Sequence, residues 1–499
     1  MEFVRNFPFF AIMLYLAGGV TCCVMKPKVS KWICLVLNAF VTVLMVATLS
    51  YTVSTGESYV FYMGHFPAPW GNEIRIGSLE ALTAAVFSGV MTATLMGGME
   101  HIFEDVEEGK LSLYFTVVNL LMSSLFALVF TNDIFTAYVF VEINTIASCA
   151  LVMLNYRSGR ALVATTRYLM MSLLGSGLFL MGIIILYAIT GHLLMEPAGE
   201  QVRELFRSGE YDIPLTIVTG LFAIGLALKS ALYPFHSWLP GAHGSATASS
   251  SGILSGLVLK GYIFLLIKIF VRVFGEEFVL DSGVTSILLV FGVLAMVLGS
   301  VFALRETDLK RMLAYSSVAQ IGYIYAGIGL GTHAGMEAAC IQIIVHAFTK
   351  PMLFCTAGGF MSVSGGSKQF REIRGAGRRD PLSGIAFVVG AMSMIGIPLF
   401  AGFATKLRLT DAALTAAGWK CALVLIAIVA SAVLNALYYI PAIAVLFGKR
   451  TDGKYEGVKA ERNWMYILGI VFFVVMNFYI GVQSEGFITI VQNGLGMLG

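Results

Sequence analysis

One pattern repeats along almost the whole chain: apolar runs of about 18 residues or more, with most charges confined to the stretches between them. Wound as a helix, such a run crosses a ~30 Å hydrocarbon layer. With 58% hydrophobic and only 12% charged residues, the chain has too little polar material to cover a water-facing surface. Ten-residue segments of alternating polarity, the mark of a membrane β-barrel, are absent. Fourteen runs are centred near Tyr15, Val41, Ser88, Met122, Val141, Leu178, Ala223, Tyr262, Phe291, Ile321, Ile344, Val389, Ser431 and Val471. The expected fold class is therefore an all-α polytopic membrane protein of about fourteen transmembrane helices.

The first run is followed by Lys26, Lys28 and Lys31 rather than by a small-residue cleavage site, so it reads as a span. Stretches after odd-numbered spans hold 20 Lys/Arg residues, among them Lys110, Arg157, Lys310, Lys368 and Arg462, against 7 on the opposite face. By the positive-inside rule the richer face is cytoplasmic and both termini lie outside; the membrane expected is a prokaryotic-type plasma (inner) membrane. On that face the acidic stretch from Glu100 to Lys110 reads as a solvated loop, or as a contact to a basic partner subunit. The seven cysteines are scattered through apolar segments with no C-x-x-C, and read as small hydrophobes. No Gly-rich phosphate loop or nucleophile motif is present, so no cofactor is expected in this chain. Redox or ATP chemistry would sit on a partner, and nothing implies a nucleic-acid partner.

A charge at the centre of a spanning helix costs roughly 2.5–3.5 kcal/mol, so each one asks for a reason. The candidates are Glu142, Lys229, Lys260, His346 with Lys350, and Lys406. Facing lipid, five such charges would cost about 15 kcal/mol; they are expected to face one another, water or a cavity. Bland alternatives exist: Lys406 and Lys268 fit snorkelling lysines at helix ends, and His346 a satisfied core histidine. Glu142 and Lys260 are hardest to dismiss, with some ten apolar or small residues on either side.

Two prolines sharpen the reading. Pro234 interrupts the seventh span five residues after Lys229, and Pro398 the twelfth eight residues before Lys406. A proline inside a span frees backbone carbonyls, and matched broken helices in two halves mark an ion site near the midplane. An offset of five spans, an odd number, implies two inverted five-helix repeats with helices 7 and 12 broken. The boundaries expected are 1–110 for three N-terminal helices, 111–275 and 280–448 for the repeats, and 449–499 for the last helix and tail. The stretch HSWLPGAHGSATASSSG, with His236 and His243 among hydroxyls, reads as a hydrated turn able to pass protons inward, or as a tight turn packed through small residues.

With these features in place, the chain resembles the antiporter-like subunits shared by respiratory complex I, membrane-bound hydrogenases and Mrp-type Na⁺/H⁺ antiporters. The resemblance runs from about Phe61 to Tyr439 and rests on ALYPFHSWLPGAH, SGLVLKGYIFLLI, DLKRMLAYSSVAQIGY, HAFTKPMLFCTAG and GAGRRDP…GIPLFAGFATK. It implies a proton relay of Glu142, Lys229, Lys260 and Lys406, with His243 and His346 at relay positions. YMGHFPAPWGNEIRIG, residues 62 to 77, is similar to the Mrp D-type component, although Gly77 and Ser78 stand where an acidic residue is usual. The chain ends soon after span fourteen without a long lateral helix, unlike the largest complex I-type subunit.

The function expected is an ion-translocating subunit, moving H⁺ or exchanging Na⁺ for H⁺, within a hetero-oligomeric membrane complex. Iron–sulfur redox partners or a cation gradient would drive it. If Glu142 and Lys229 approach within ~10 Å, their coupling at an effective dielectric of ~20 is about 1.7 kcal/mol. Moving one charge across ~150 mV requires about 3.5 kcal/mol. Two or three contacts in series are then needed: Glu142–Lys229, on to Lys260, past His346 and Lys350, out by Lys406, with inward access at His236 and His243. The alternatives are a stand-alone secondary transporter of a small solute, and a scaffold whose buried charges only fix helix pairing.

Overall fold

The computed structural model describes residues 2–67, 71–155, 158–209, 211–416, 418–450, 454–455 and 457–498. Arg157, and residues 68–70 within the 62–77 stretch, lie outside the described residues. Three helices open the chain, α1 (Phe7–Val24), α2 (Pro27–Thr55) and α3 (Ser78–Asp105). The first half follows as α4 (Leu111–Phe130), α5 (Ile134–Met153), α6 (Ala161–Thr190), the amphipathic α7 (Met195–Ser208) and α8 (Asp212–Lys229). It closes with the short α9 (Leu239–Ser245), α10 (Ala248–Ile253) and α11 (Leu259–Ile269). After α12 (Glu276–Asp281) the second half comprises α13 (Val284–Arg305), α14 (Leu309–Leu330), α15 (His333–Ser362), α16 (Ala376–Arg379), α17 (Pro381–Ile395), α18 (Ala401–Thr415) and α19 (Trp419–Phe447). Two helices end the chain, α20 (Trp464–Val482) and α21 (Ser484–Gly496).

Among the described residues, twelve segments are long and apolar enough to cross a membrane. The two other expected spans correspond to α14, which carries Lys310, Arg311 and a polar Ser316–Ser317 pair, and to the interrupted pair α17–α18. Both expected breaks are present. The seventh span stops at Lys229 and the twelfth at Ile395, each followed by a residue forced to positive φ, Ala231 at 58° and Leu399 at 77°. Pro351 and Pro441 lie inside α15 and α19 without ending them.

The centre is made by α15 and the 248–274 segment, buried along their whole apolar length, while only a third of α2 and of α19 is buried. Lipid tails are as apolar as leucine, so helices here are held by close backbone approach through small residues. The α13–α14 pair shows it. A Cβ at Gly292 would meet Ala326 N at 2.7 Å and Gly322 O at 2.9 Å, and one at Gly322 would meet Gly292 O at 2.6 Å. Likewise Ser249 of α10 sits against Gly98 of α3, donating to its carbonyl at 3.0 Å.

Several expectations are corrected. The 236–251 stretch is no open loop: it folds into a short 3₁₀ turn (Phe235–Trp238), α9 and α10, and residues 245–251 are all buried, because their small side chains admit α3 and Pro351. Lys268 does not snorkel; it is fully buried and donates to Val129 O and Thr131 O, both at 2.7 Å. Glu100 to Asp105 form the last turns of α3 rather than a solvated loop, with Glu100 paired to Arg462 at 3.2 Å and His101 buried. Two strands were not anticipated: β1 (Tyr59–Tyr62) and β2 (Glu73–Ile76) pair antiparallel as a hairpin.

Replacing Gly292 by leucine should force α13 and α14 apart, since backbone atoms cannot yield as a side chain can; overpacking costs typically ~1–3 kcal/mol. Thermal unfolding in detergent should show a clear loss for Gly292→Leu. It should show none for Gly177→Leu on the exposed face of α6, where no atom lies within 4 Å of the added Cβ.

Candidate functional site

Each sequence-predicted residue sits where a helix is broken, bulged or crossed. Lys229 is the last residue of α8, fully buried, with Nζ 3.3 Å from Glu142 Oε1 on α5. It also donates to Thr145 Oγ1 at 2.7 Å and lies 5.6 Å from the Tyr262 ring centroid. Ser176 of α6 donates to the same Glu142 oxygen. A polar chain continues from Thr145 to Tyr262 OH (3.4 Å), Asn144 Oδ1 (3.1 Å) and Ser124 Oγ (3.1 Å), joining α4, α5 and α11. The break below Lys229 is satisfied from both sides. Trp238 Nε1 donates to Leu228 O at 3.3 Å, and Ser230 Oγ meets Tyr325 OH of α14 at 2.7 Å, linking the two halves.

Lys260 lies just after a π-helical turn, Leu254–Val258, and its Nζ donates back to the Ser255 carbonyl of that turn. Such bulges widen a helix by one residue and recur at functional sites. Ser255 Oγ reaches Ser317 of α14 at 2.8 Å. His346 and Lys350 share one face of α15, as their spacing of four requires. Lys350 donates to Leu313 O at 2.9 Å and Ser316 Oγ at 2.8 Å. His243 of α9, stacked 5.0 Å from Phe354, is within electrostatic reach of Lys260 and Lys350, and His346 of His243 and both lysines. These four buried residues form one group. Neither ring nitrogen of His243 or of His346 has a partner among the described residues, an expensive state in a dry core and an ordinary one beside water.

Lys406 closes the second break. It donates to Met394 O (3.1 Å) and Ile395 O, the last carbonyls of α17, and lies 5.5 Å from the Tyr323 ring centroid. A cation at that end complements the helix dipole. Gly396, at φ 92°, leaves it room, since a Cβ there would meet Lys406 Cδ at 2.6 Å. Lys406 is 8% exposed, so it is a buried group and not a snorkelling one. His236 stands apart from the central group, its ring between Tyr233 (5.3 Å) and Phe302 (5.6 Å).

Sequence reasoning missed a second buried network on the opposite face. Arg272 pairs with Glu80 at 2.5 Å, both almost wholly buried, and reaches Asn132 Oδ1 at 3.4 Å. Asn132 in turn donates to Glu73 Oε1 at 2.6 Å. Three residues after Gly77, Glu80 also accepts from Gly77 N and caps the start of α3. Its signal was an acid in the first turn of a span, opposite an arginine that counted as a loop residue.

A family model described as NADH:quinone oxidoreductase/Mrp antiporter, TM, matches residues 131–434, a span holding every relay candidate. NADH-quinone oxidoreductase subunit N of Desulforudis audaxviator is 32% identical over 83% of this chain and 80% of its own length. The D-type component of the Na(+)/H(+) antiporter from Alkalihalophilus pseudofirmus is 27% identical over 71% and 69%. A chain of the membrane-bound sulfane sulfur reductase, an archaeal respiratory membrane complex, superposes with a TM-score of 0.87 at 26% identity, covering 100% of this chain and 98% of its own. A chain of the Mrp complex from Dietzia sp. gives 0.87 at 22% over the same shares, a likeness of fold.

Breaking the Glu80–Arg272 pair from one side should strand a buried charge and cost ~3–5 kcal/mol, whereas removing both partners should cost far less. In thermal unfolding, Arg272→Met should be strongly destabilised and the Glu80→Leu/Arg272→Met double variant should recover most of the loss. A double variant as weak as the single one would contradict this.

Proposed function

The chain belongs to the NADH:quinone oxidoreductase/Mrp antiporter transmembrane family, and on that premise we propose that it moves protons through the membrane as one subunit of a hetero-oligomeric complex, along Glu142, Lys229, Lys260, His346, Lys350 and Lys406. The observation that carries the reading is the Glu142–Lys229 pair, 3.3 Å long, set at the point where α8 breaks. A helix break is the place where a lysine can change partner without unfolding a span. At an effective dielectric of ~20, two charges 3.3 Å apart attract by about 5 kcal/mol, more than the ~3.5 kcal/mol of moving one charge against ~150 mV.

In the proposed cycle Glu142 holds Lys229 as an ammonium. Separation of the pair removes that attraction, and Lys229 gives its proton toward the Lys260–His346–Lys350 group. The proton then reaches Lys406 at the second break and leaves. Lysine suits these positions, because burial can bring a proton off an amine but not off a guanidinium. The Lys/Arg-rich face is cytoplasmic in this reading and both termini lie outside.

A partner subunit is supported by Glu142 itself. A quarter of its side chain (24%) is exposed at the surface of this chain, within a span, where lipid would not tolerate a carboxylate. A neighbouring membrane subunit covering α5 and α6 resolves this. The complex is energised either by iron–sulfur redox subunits or by exchange of Na⁺ for H⁺. Gentle extraction from native membranes with iron measured in the same sample decides between them: iron with redox-type subunits assigns the first, small membrane subunits without iron the second.

Lys229→Ala should abolish coupled proton transport in reconstituted complex while the chain still inserts and co-purifies with its partners. Glu142→Gln should lower transport by about tenfold or more, the loss of the attraction above being worth several kcal/mol. Normal transport by Lys229→Ala would reject the relay. Loss of assembly in both variants would favour a scaffold role instead.

A further inference from the structure

On the Lys/Arg-rich face a pocket of about 470 Å³ opens between the end of α3, the α5–α6 turn and the residues that follow α15. Its lining includes His101, Glu104, Asp105, Gly244, Ala248 and Lys310. Three features distinguish it from an ordinary surface dent. First, two side chains more than nine-tenths buried line it with polar atoms that have no partner among the described residues, His101 Nε2 and Asn155 Oδ1, as expected of groups that bind water. Second, Lys310 is 2% exposed, although by sequence it counts among the basic residues between spans on that face. Its Nζ donates to Ala246 O, and the neighbouring Lys368 donates to Gly244 O at 2.5 Å and pairs with Asp308 at 3.3 Å. Third, Ala246 and Gly244 flank the α9 terminus that carries His243, and His243 lies within electrostatic reach of Lys310 as well as of Lys260 and Lys350.

We propose that this pocket is the proton inlet on the Lys/Arg-rich face and that Lys310 is the first proton station, ahead of His243. The inference rests on the relay reading above and adds to it a mouth and a residue. A hydronium ion in the pocket protonates the amine of Lys310 and becomes water. The Lys310 ammonium then gives a proton to the unprotonated ring nitrogen of His243, directly or through a water molecule, and returns to the amine. The resulting imidazolium releases the proton from its other nitrogen to the amine of Lys260. No charge is created or lost beyond the single proton carried inward. Glu104, which also lines the pocket, lies 3.5 Å from His101 Nδ1.

The test uses the native complex in proteoliposomes. Lys310→Arg keeps a cation able to hold Ala246 O but unable to release its proton, so transport should fall by about tenfold or more with assembly intact. Transport retained by Lys310→Arg would make Lys310 a structural cation and overturn the proposal. Ser158→Cys, at the pocket wall, gives a second reading that does not depend on substituting the lysine. A membrane-impermeant maleimide on that cysteine should cut transport severalfold relative to the same variant unlabelled, the labelled parent chain serving as control for the native cysteines. Complete labelling without loss would equally overturn the inlet. Lys229→Ala measured in parallel separates the two ideas. If it is inactive while Lys310→Arg and the labelled cysteine variant are active, only the inlet fails; if it is active, the relay fails and the inlet with it.

Discussion

Backbone carbonyls released at a helix break must find donors inside the protein, because hydrocarbon offers none. In this chain many of those donors are ammonium groups. Lys406 takes the last carbonyls of α17, Lys260 the carbonyl of its own π turn, Lys350 that of Leu313, Lys268 those of Val129 and Thr131, and Lys310 that of Ala246. A lysine amine keeps two N–H bonds after losing its proton. Each of these groups can therefore change charge and still satisfy its carbonyl, which arginine, never deprotonated, has no occasion to do and a carboxylate has no donors to do. The requirement that stabilises the broken helices and the requirement that a proton station be reversible are met by the same atom.

That coincidence explains why the breaks are local. α8 ends at Lys229, and the chain turns through Ala231 and Pro234 before α9, yet Trp238 and Ser230 pin both sides of the gap to Leu228 O and Tyr325. Above the break α8 stays packed on α6 through glycines: a Cβ at Gly225 would meet Gly175 O at 2.7 Å, and one at Gly175 would meet Gly225 O at 2.7 Å. The ~10 Å separation assumed from sequence for Glu142 and Lys229 understated their coupling; at 3.3 Å a single pair has the magnitude to oppose a membrane potential.

Much of this is legible in the amino-acid sequence alone. Apolar length gives the spans, Pro234 and Pro398 the breaks, and the isolated Glu142, Lys229, Lys260 and Lys406 the polar interior, because a buried charge has few innocent explanations. What is not legible depends on which helix faces which. Lys268 looks like an end-of-helix residue by hydropathy and Lys310 like a basic residue between spans, and only their burial against Val129 and Ala246 reveals otherwise. The Glu80–Arg272 pair joins residues 192 positions apart, and no local pattern connects them. The hydroxyl-rich 245–251 stretch has the composition of an open turn, yet small residues also permit the closest packing, and packing prevailed.

The central claim is that the buried lysines carry protons and do not merely brace helices. The most direct measurement counts protons translocated per catalytic turnover of the reconstituted complex with Lys260→Arg, a variant that preserves the cation at the π turn but cannot release its proton. Translocation should be lost while the variant assembles as the parent does. An unchanged proton count in Lys260→Arg would contradict it.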